Sequence, residues 1–129
     1  MMPQANDKPK RLTRGETEAE MTQAFVKFEK EYLGRGPVDA RTFFISDMVL
    51  IRLKGLITPA EKKLAESRDG HSLIKETRRQ LLETCRAQIE AIVRNVLGAD
   101  LISLHTDMST RTGERIIVLT VNRDLDDLF

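Results

Sequence analysis

The chain has 129 residues, 40% of them apolar, which is the size and composition of one ordinary globular domain. Its 21 basic and 20 acidic side chains leave a formal net charge of +1, so the overall charge provides no general attraction to nucleic acid or anionic lipid. Cys85 is the one cysteine and no apolar run approaches the roughly 20 residues of a membrane-spanning helix, which together favour a cytoplasmic protein without disulfides or a membrane span of its own.

The N-terminal part of the sequence predicts an arm followed by a helix. Residues 1–11 are polar, contain two prolines and lack the apolar segment of a secretory signal, so we expect them to be disordered. Thr13 and Glu16 form a capping-box pattern at the start of a helix that ends at Gly34. The apolar stripe of this helix consists of Met21, Ala24, Phe25, Phe28 and Tyr32.

Residues 41–55 alternate between apolar and polar side chains and predict a β-hairpin. The turn is expected around Ser46, Asp47 and Met48, but it lacks a glycine, so one long strand is the alternative. The alternation assigns five apolar residues to one face of this hairpin: Phe43, Ile45, Val49, Ile51 and Leu53.

Two helices are predicted in the middle of the chain. Thr58 and Glu61 form a second capping-box pattern, with a proline between them at the first helical position, and a short helix is expected to about Ser67. From residue 71 to 97 the chain has no Gly or Pro, which predicts one helix roughly 40 Å long, closed by Gly98 as a left-handed cap. Its apolar stripe consists of Ile74, Leu81, Cys85, Ile89, Ile92 and Val96.

The last third predicts a second hairpin, with strands at 101–108 and 115–121 and a loop between them. The returning strand is apolar on both faces, as expected for a central strand covered on both sides. Residues 123–129 form an acidic tail that we expect to fray. The order α-β-β-α-α-β-β predicts an α+β fold, in which two hairpins form an antiparallel sheet with helices on one face.

This arrangement leaves the second face of the sheet partly apolar. The apolar residues that alternation places there are Phe44, Leu50, Ile116 and Val118. We expect a homodimer in which a second copy covers this face, because a two-fold axis lets one self-complementary patch serve both chains. The alternative is pairing of the long helix with its own mate, through Ile74, Leu81, Cys85 and Ile92.

No set of residues in the sequence has the pattern of a catalytic or metal site. His105 and Asp107 share one strand face, but a zinc site needs three or four ligands, so we predict no metal and no other cofactor. Ser103 adds the third residue type of a hydrolase triad, yet alternate positions on one strand cannot form the nucleophile, base and orienter chain. We therefore expect a protein that is not an enzyme.

The hairpin loop contains the remaining candidate binding residues. Arg111, Glu114 and Arg115 provide hydrogen-bonding groups that could hold an anion or a partner, although a solvated loop tip is the simpler interpretation. Basic residues in the N-terminal arm and along the long helix are typical of RNA binding. Glutamates alternate with the helix arginines and no aromatic residue accompanies them, so a nucleic-acid partner is not favoured.

Four segments together resemble the bacterial MpsC-like domain family. They are LTRGE at 12–16, FEKEYLGRGP at 28–37, ITPAEK at 57–62 and SLHTDMSTRTGER at 103–115, the last being the most specific. The resemblance extends over about residues 12–122, so one MpsC-like domain is expected there. The family name implies a part in a sodium-translocating system that generates a membrane potential, and the resemblance supplies no catalytic residues.

Two functions follow from these observations. The resemblance implies an accessory or regulatory protein that assists a membrane cation-translocating or bicarbonate-transport system, because a chain of this size without a membrane-embedded polar pathway cannot translocate an ion alone. A small RNA-binding or ligand-sensing domain is the alternative.

Overall fold

A computed structural model describes residues 12–32, 34, 36–55 and 58–129. The elements in this part of the chain are α1 (Arg14–Tyr32), β1 (Asp39–Ile45), β2 (Met48–Lys54), α2 (Pro59–Leu64), α3 (Arg68–Thr84), α4 (Arg86–Leu97), β3 (Leu101–Met108), β4 (Arg115–Val121) and a 3₁₀ turn (Leu125–Asp127). The α+β class and the antiparallel sheet of two hairpins are therefore confirmed, with three helices between the hairpins where two were predicted. The predicted N-terminal arm lies outside the described residues.

The four strands form one antiparallel sheet in the order β1-β2-β4-β3. Strands β2 and β4 are central, as the apolar pattern of β4 predicts. Helices α1 and α4 pack against one face of the sheet and against each other. The core between these layers includes Met21, Phe25, Val49, Ile51, Leu53, Leu82, Ile89, Val93, Ile117 and Leu119.

Both predicted capping boxes are present. The Glu16 backbone N–H donates to Thr13 Oγ1 over 3.1 Å, and the Thr13 N–H donates to Glu16 Oε1 over 2.9 Å. Thr58 and Glu61 make the equivalent pair of hydrogen bonds at the start of α2. Each pair satisfies two backbone donors that have no partner within the helix, which fixes where the helix begins.

The first hairpin is present, but the predicted side-chain assignment of β1 is wrong. The turn has only two residues, Ser46 and Asp47, with a φ of 59° at Ser46, and β2 begins at Met48. Directly opposed residues share a face, and Phe44 lies opposite Val49. Phe44 therefore points toward the helices, while Phe43 and Ile45 lie on the other face. A one-residue difference in the turn exchanges the two faces of a strand.

The predicted long helix is divided into α3 and α4. Cys85 has φ −93° and ψ 20°, and its N–H is shared between the carbonyls of Leu81 and Leu82. Strands of seven or eight residues span only about 25 Å, so a straight helix of about 40 Å would extend beyond the sheet. The break lets α3 lie beside β3 while α4 packs next to α1.

Most residues that pairing of the long helix would use are packed within the protomer. Ile74 is buried within the protomer, and Cys85 and Ile92 pack against the core. Leu81, placed on the buried stripe by periodicity, is exposed, and Leu82 is buried in its place. Few apolar atoms of the predicted helix contact therefore remain at the surface.

The acidic tail does not fray as predicted. Leu125 is fully buried, and its N–H donates to the Ser46 carbonyl over 2.7 Å. The Phe129 ring stacks on Phe44 with a centroid separation of 5.9 Å. The tail therefore closes the end of the core beside the β1–β2 turn. Its acidic side chains are exposed.

Candidate functional site

The face of the sheet turned away from α1 and α4 has an apolar centre. Its apolar side chains are Phe43, Ile45, Met48, Leu50, Ile116 and Val118, and we call this surface the open face. Leu50 lies directly opposite Val118 on the two central strands, and Phe43 lies opposite Leu50. The predicted positions of Leu50, Ile116 and Val118 are confirmed, and that of Phe44 is not.

Charged pairs form the rim of the open face. Arg52 forms an ion pair with Glu114, and Lys75 of α3 approaches Asp107 to 3.0 Å. The hydrogen bond from Lys75 lowers the pKa of Asp107, with burial opposing it and the Met108 N–H adding to the effect. Two of the predicted binding carboxylates are thus already partnered within the protomer, which reduces their availability to a ligand.

His105 lies on the open face opposite Val118. Its Nε2 is 3.1 Å from Ser103 Oγ, which in turn hydrogen-bonds Thr120 Oγ1. Asp107 pairs with Lys75 and not with the imidazole. Among the described residues, a serine therefore lies beside this histidine, and Asp107, the carboxylate on the same strand face, is engaged by Lys75.

Chelation is expected to leave the stability of the protein unchanged. Within residues 12–32, 34, 36–55 and 58–129, no three His, Cys, Asp or Glu side chains are grouped to hold a metal ion. The measurement is the thermal midpoint of the purified protein with and without EDTA, together with its zinc content. Stoichiometric zinc that is lost in His105→Ala would contradict this prediction, and Ser109→Ala, in the adjacent loop, is the matched control.

Arg115 does not belong to the binding loop that the sequence predicted. Its side chain points to the helix side of β4, is 1% exposed and forms an ion pair with the fully buried Glu29 of α1. Within the described residues, Glu29 Oε1 and Arg115 Nε and Nη1 have no hydrogen-bond partner. Arg115 is thus a core residue, and the loop keeps only Arg111 as an exposed predicted cation.

Burial dominates the electrostatics of the Glu29–Arg115 pair. It raises the pKa of Glu29 above its ordinary value, and the Arg115 charge counteracts only part of that effect. Burial likewise lowers the pKa of Arg115, with Glu29 opposing. Both charged forms are disfavoured relative to water. Glu29 therefore depends on Arg115 to remain ionised in the core, whereas Arg115 stays charged and depends on Glu29 to offset the cost of its burial.

A second pair lies close to the first. Arg78 of α3 donates to both carboxylate oxygens of Glu61 in α2, at 2.9 and 3.1 Å. Its charge also contributes to the pKa values of Glu29 and Arg115. Four elements, α1, α2, α3 and β4, thus meet at one charge cluster of zero formal charge, defined by Glu29, Glu61, Arg78 and Arg115.

Comparison with known proteins provides the family relationship. Residues 13–123 match the family described as Na+-translocating membrane potential-generating system (MpsC). The chain is 39% identical over 114 residues to the uncharacterized protein YbcI of Bacillus subtilis, covering 88% of the chain and 92% of the relative. It is 24% identical over 109 residues to the uncharacterized protein YrhF of the same organism, covering 84% and 89%. No solved structure matches the chain.

Proposed function

The chain belongs to the MpsC family, and from this membership we propose that it is a non-enzymatic accessory protein of a membrane cation-translocating or bicarbonate-transport system. None of the described helices is long and apolar enough to cross a membrane. Ion translocation needs polar groups within the bilayer. The proposed role is therefore to bind and regulate a membrane partner from the cytoplasm.

The open face is the observation that supports a binding role. It combines an apolar centre with charged pairs at its edge, which is the composition of a protein interface. Phe43 and Ile45 are both more than a third exposed. Contiguous apolar groups of this kind are unfavourable in water and typically mark a contact with another protein.

We also propose that the protein forms a homodimer. A second copy covering the open face is the arrangement that the sequence favours. That copy and a membrane partner would compete for the same surface, so a dimer contact elsewhere on the protomer would leave the open face free for the partner. The edge of β1 offers such a contact.

A substitution on the open face is expected to prevent recovery of the membrane partner. Val118→Asp places a charge at the centre of the surface, and we expect about a tenfold loss of a transport subunit captured by the tagged protein from detergent-solubilised membranes at native expression. Leu73→Asp replaces an exposed apolar residue of α3 and is the matched control. Phe43→Asp tests the same surface should Val118→Asp fail to fold.

The alternative function predicts a different result from the same capture. Equal recovery of the subunit by all variants would contradict a role of the open face. Enrichment of RNA without any membrane protein would contradict the accessory role and support an RNA-binding domain. A small molecule that raises the thermal midpoint of the purified protein, with no membrane protein captured, would support ligand sensing instead.

A further inference from the structure

Strand β1 is an edge of the sheet, and its outer side is closed at only one end. There the Phe44 N–H donates to Glu18 Oε2 and the Phe44 carbonyl accepts from Arg14 Nη1, both over 2.8 Å. These bonds to α1 show that the Phe44 backbone groups point away from β2. Outward-pointing residues alternate along an antiparallel edge, so the N–H and carbonyl of Thr42 and Ala40 point outward too.

The space beside Ala40 is open, whereas Thr42 is only 5% exposed. A groove of about 360 Å³ runs between residues 40–43 and the adjacent side of α1, where Gly15, Ala19 and Thr22 form its wall. Among the hydrogen bonds of the described residues, none from outside the sheet reaches the backbone of Ala40 or Thr42. The edge at Ala40 can therefore accept another strand.

Charges of opposite sign flank the open stretch. Asp39 and Arg41 lie on either side of Ala40, and neither forms an ion pair with any other described residue. Arg41 contacts the Phe43 ring and lies directly opposite Arg52, whose carboxylate partner is Glu114. Like charges directly opposite each other are unfavourable, so Arg41 has a neighbouring cation and, within the described residues, no counter-ion; Asp39 lies directly opposite Lys54.

We propose that β1 pairs with β1 of a second copy, in antiparallel orientation, about a two-fold axis at Ala40; this gives the proposed homodimer its contact surface. The two Ala40 residues then exchange both backbone hydrogen bonds. Asp39 of each copy lies opposite Arg41 of the other, in the positions where side chains approach most closely. The Asp-Ala-Arg segment is thus self-complementary in charge when two copies of it pair in antiparallel orientation.

The same register accounts for an exposed apolar side chain. Val38 directly precedes β1 and is 84% exposed. Two positions from the axis, its side chain lies opposite Thr42 of the second copy. The Val38 N–H already donates to the Lys54 carbonyl over 2.9 Å, so the backbone pairing between the copies is centred on Ala40. The pairing joins two four-stranded sheets into one of eight strands and leaves the open face accessible on both copies.

Charge reversal tests the register. Asp39→Arg or Arg41→Asp alone places like charges opposite each other twice per dimer, and we expect either to weaken dimerisation by at least about tenfold in sedimentation or light-scattering measurements. The double variant Asp39→Arg with Arg41→Asp restores both opposite-charge pairs and is expected to return the dissociation constant close to that of the wild type. Failure of the double variant to recover would overturn the proposed register.

Proline at the axis tests the edge itself. Ala40→Pro removes an N–H that points away from β2, so the β1–β2 ladder is retained while the central contact between copies is lost. We expect a folded monomer, with the fold checked by circular dichroism. A monomeric wild type at all concentrations would overturn both the edge contact and the homodimer. A dimer lost in Val118→Asp but unaffected by the β1 variants would overturn the edge contact alone; partner capture does not enter either result.

Discussion

Replacing Arg115 by Met is expected to destabilise the fold by about 3 kcal/mol at pH 7, because the buried Glu29 carboxylate loses its counter-ion. The Met side chain occupies much of the volume of the Arg stem, so the loss is mainly electrostatic. Glu29 can then become neutral by taking up a proton. Protonating a carboxyl with an ordinary pKa of 4.5 costs about 3.4 kcal/mol at pH 7. This cost is the upper limit of the electrostatic part of the destabilisation.

The defect of Arg115→Met is expected to shrink as the pH falls. In the folded variant, burial raises the pKa of Glu29 above its value in the unfolded chain. The folded state therefore binds more protons in the range above 4.5, and its stability increases as the pH decreases through that range. At pH 5 the protonation cost is only about 0.7 kcal/mol. Urea unfolding of wild type and variant at pH 5 and 7 measures the difference.

The reverse substitution provides the comparison. Glu29→Met leaves Arg115 charged at every accessible pH and close to Arg78, so we expect a loss of about 3–5 kcal/mol that does not shrink between pH 7 and 5. The double variant Glu29→Met with Arg115→Met removes both charges and should be within about 1 kcal/mol of the wild type. Additive losses in the double variant would show that packing, and not the charge pair, determines the effect.

The pair was visible in the sequence as two exceptions to its pattern. Glu29 lies four residues after Phe25 and eight after Met21, on the stripe that periodicity assigns to the core. Arg115 lies on the same strand face as Ile117 and Leu119. A charged residue at a core position signals a buried partner, but nothing local identifies that partner, since 86 positions separate the two residues.

Element type followed from local chemistry, whereas register did not. The capping boxes at Thr13 and Thr58 and the left-handed cap at Gly98 are contained in a few neighbouring residues, so they were predictable. Which side chains of β1 face the helices depends on the length of a turn that lacks glycine, and a one-residue change in that length exchanges the two faces. No Gly or Pro in the sequence predicts the break at Cys85, because the break results from the packing of α3 and α4 on separate parts of the sheet.

The predicted binding residues likewise depend on contacts that are distant in sequence. Alternation correctly placed His105 and Asp107 on one face, and the hairpin brought Glu114 to the same side of the sheet. Their partners, Lys75 and Arg52, come from elements distant in sequence. Since ion pairs within the protomer occupy both carboxylates, the apolar centre is the part of this surface that is available to a partner.

Truncation of Leu125 is expected to be the most damaging single change in the acidic tail. Leu125→Ala should cost about 2–5 kcal/mol, because Leu125 is fully buried and its removal leaves a cavity beside the β1–β2 turn. Asp126→Ala is the matched control. It removes the ion pair with Arg14, but both side chains are more than a third exposed, so the loss should stay below about 1 kcal/mol.

The two variants are compared by urea unfolding under identical conditions, with the slope of each transition checked against the wild type. A loss below about 1 kcal/mol for Leu125→Ala would mean that the tail is detached in solution, as its acidic composition alone predicts. We expect the large loss, because Leu125 belongs to the core. The tail would then act on β1, because Leu125 binds the Ser46 carbonyl and Phe129 stacks on Phe44, and loosening it would also weaken the edge that we assign to the homodimer.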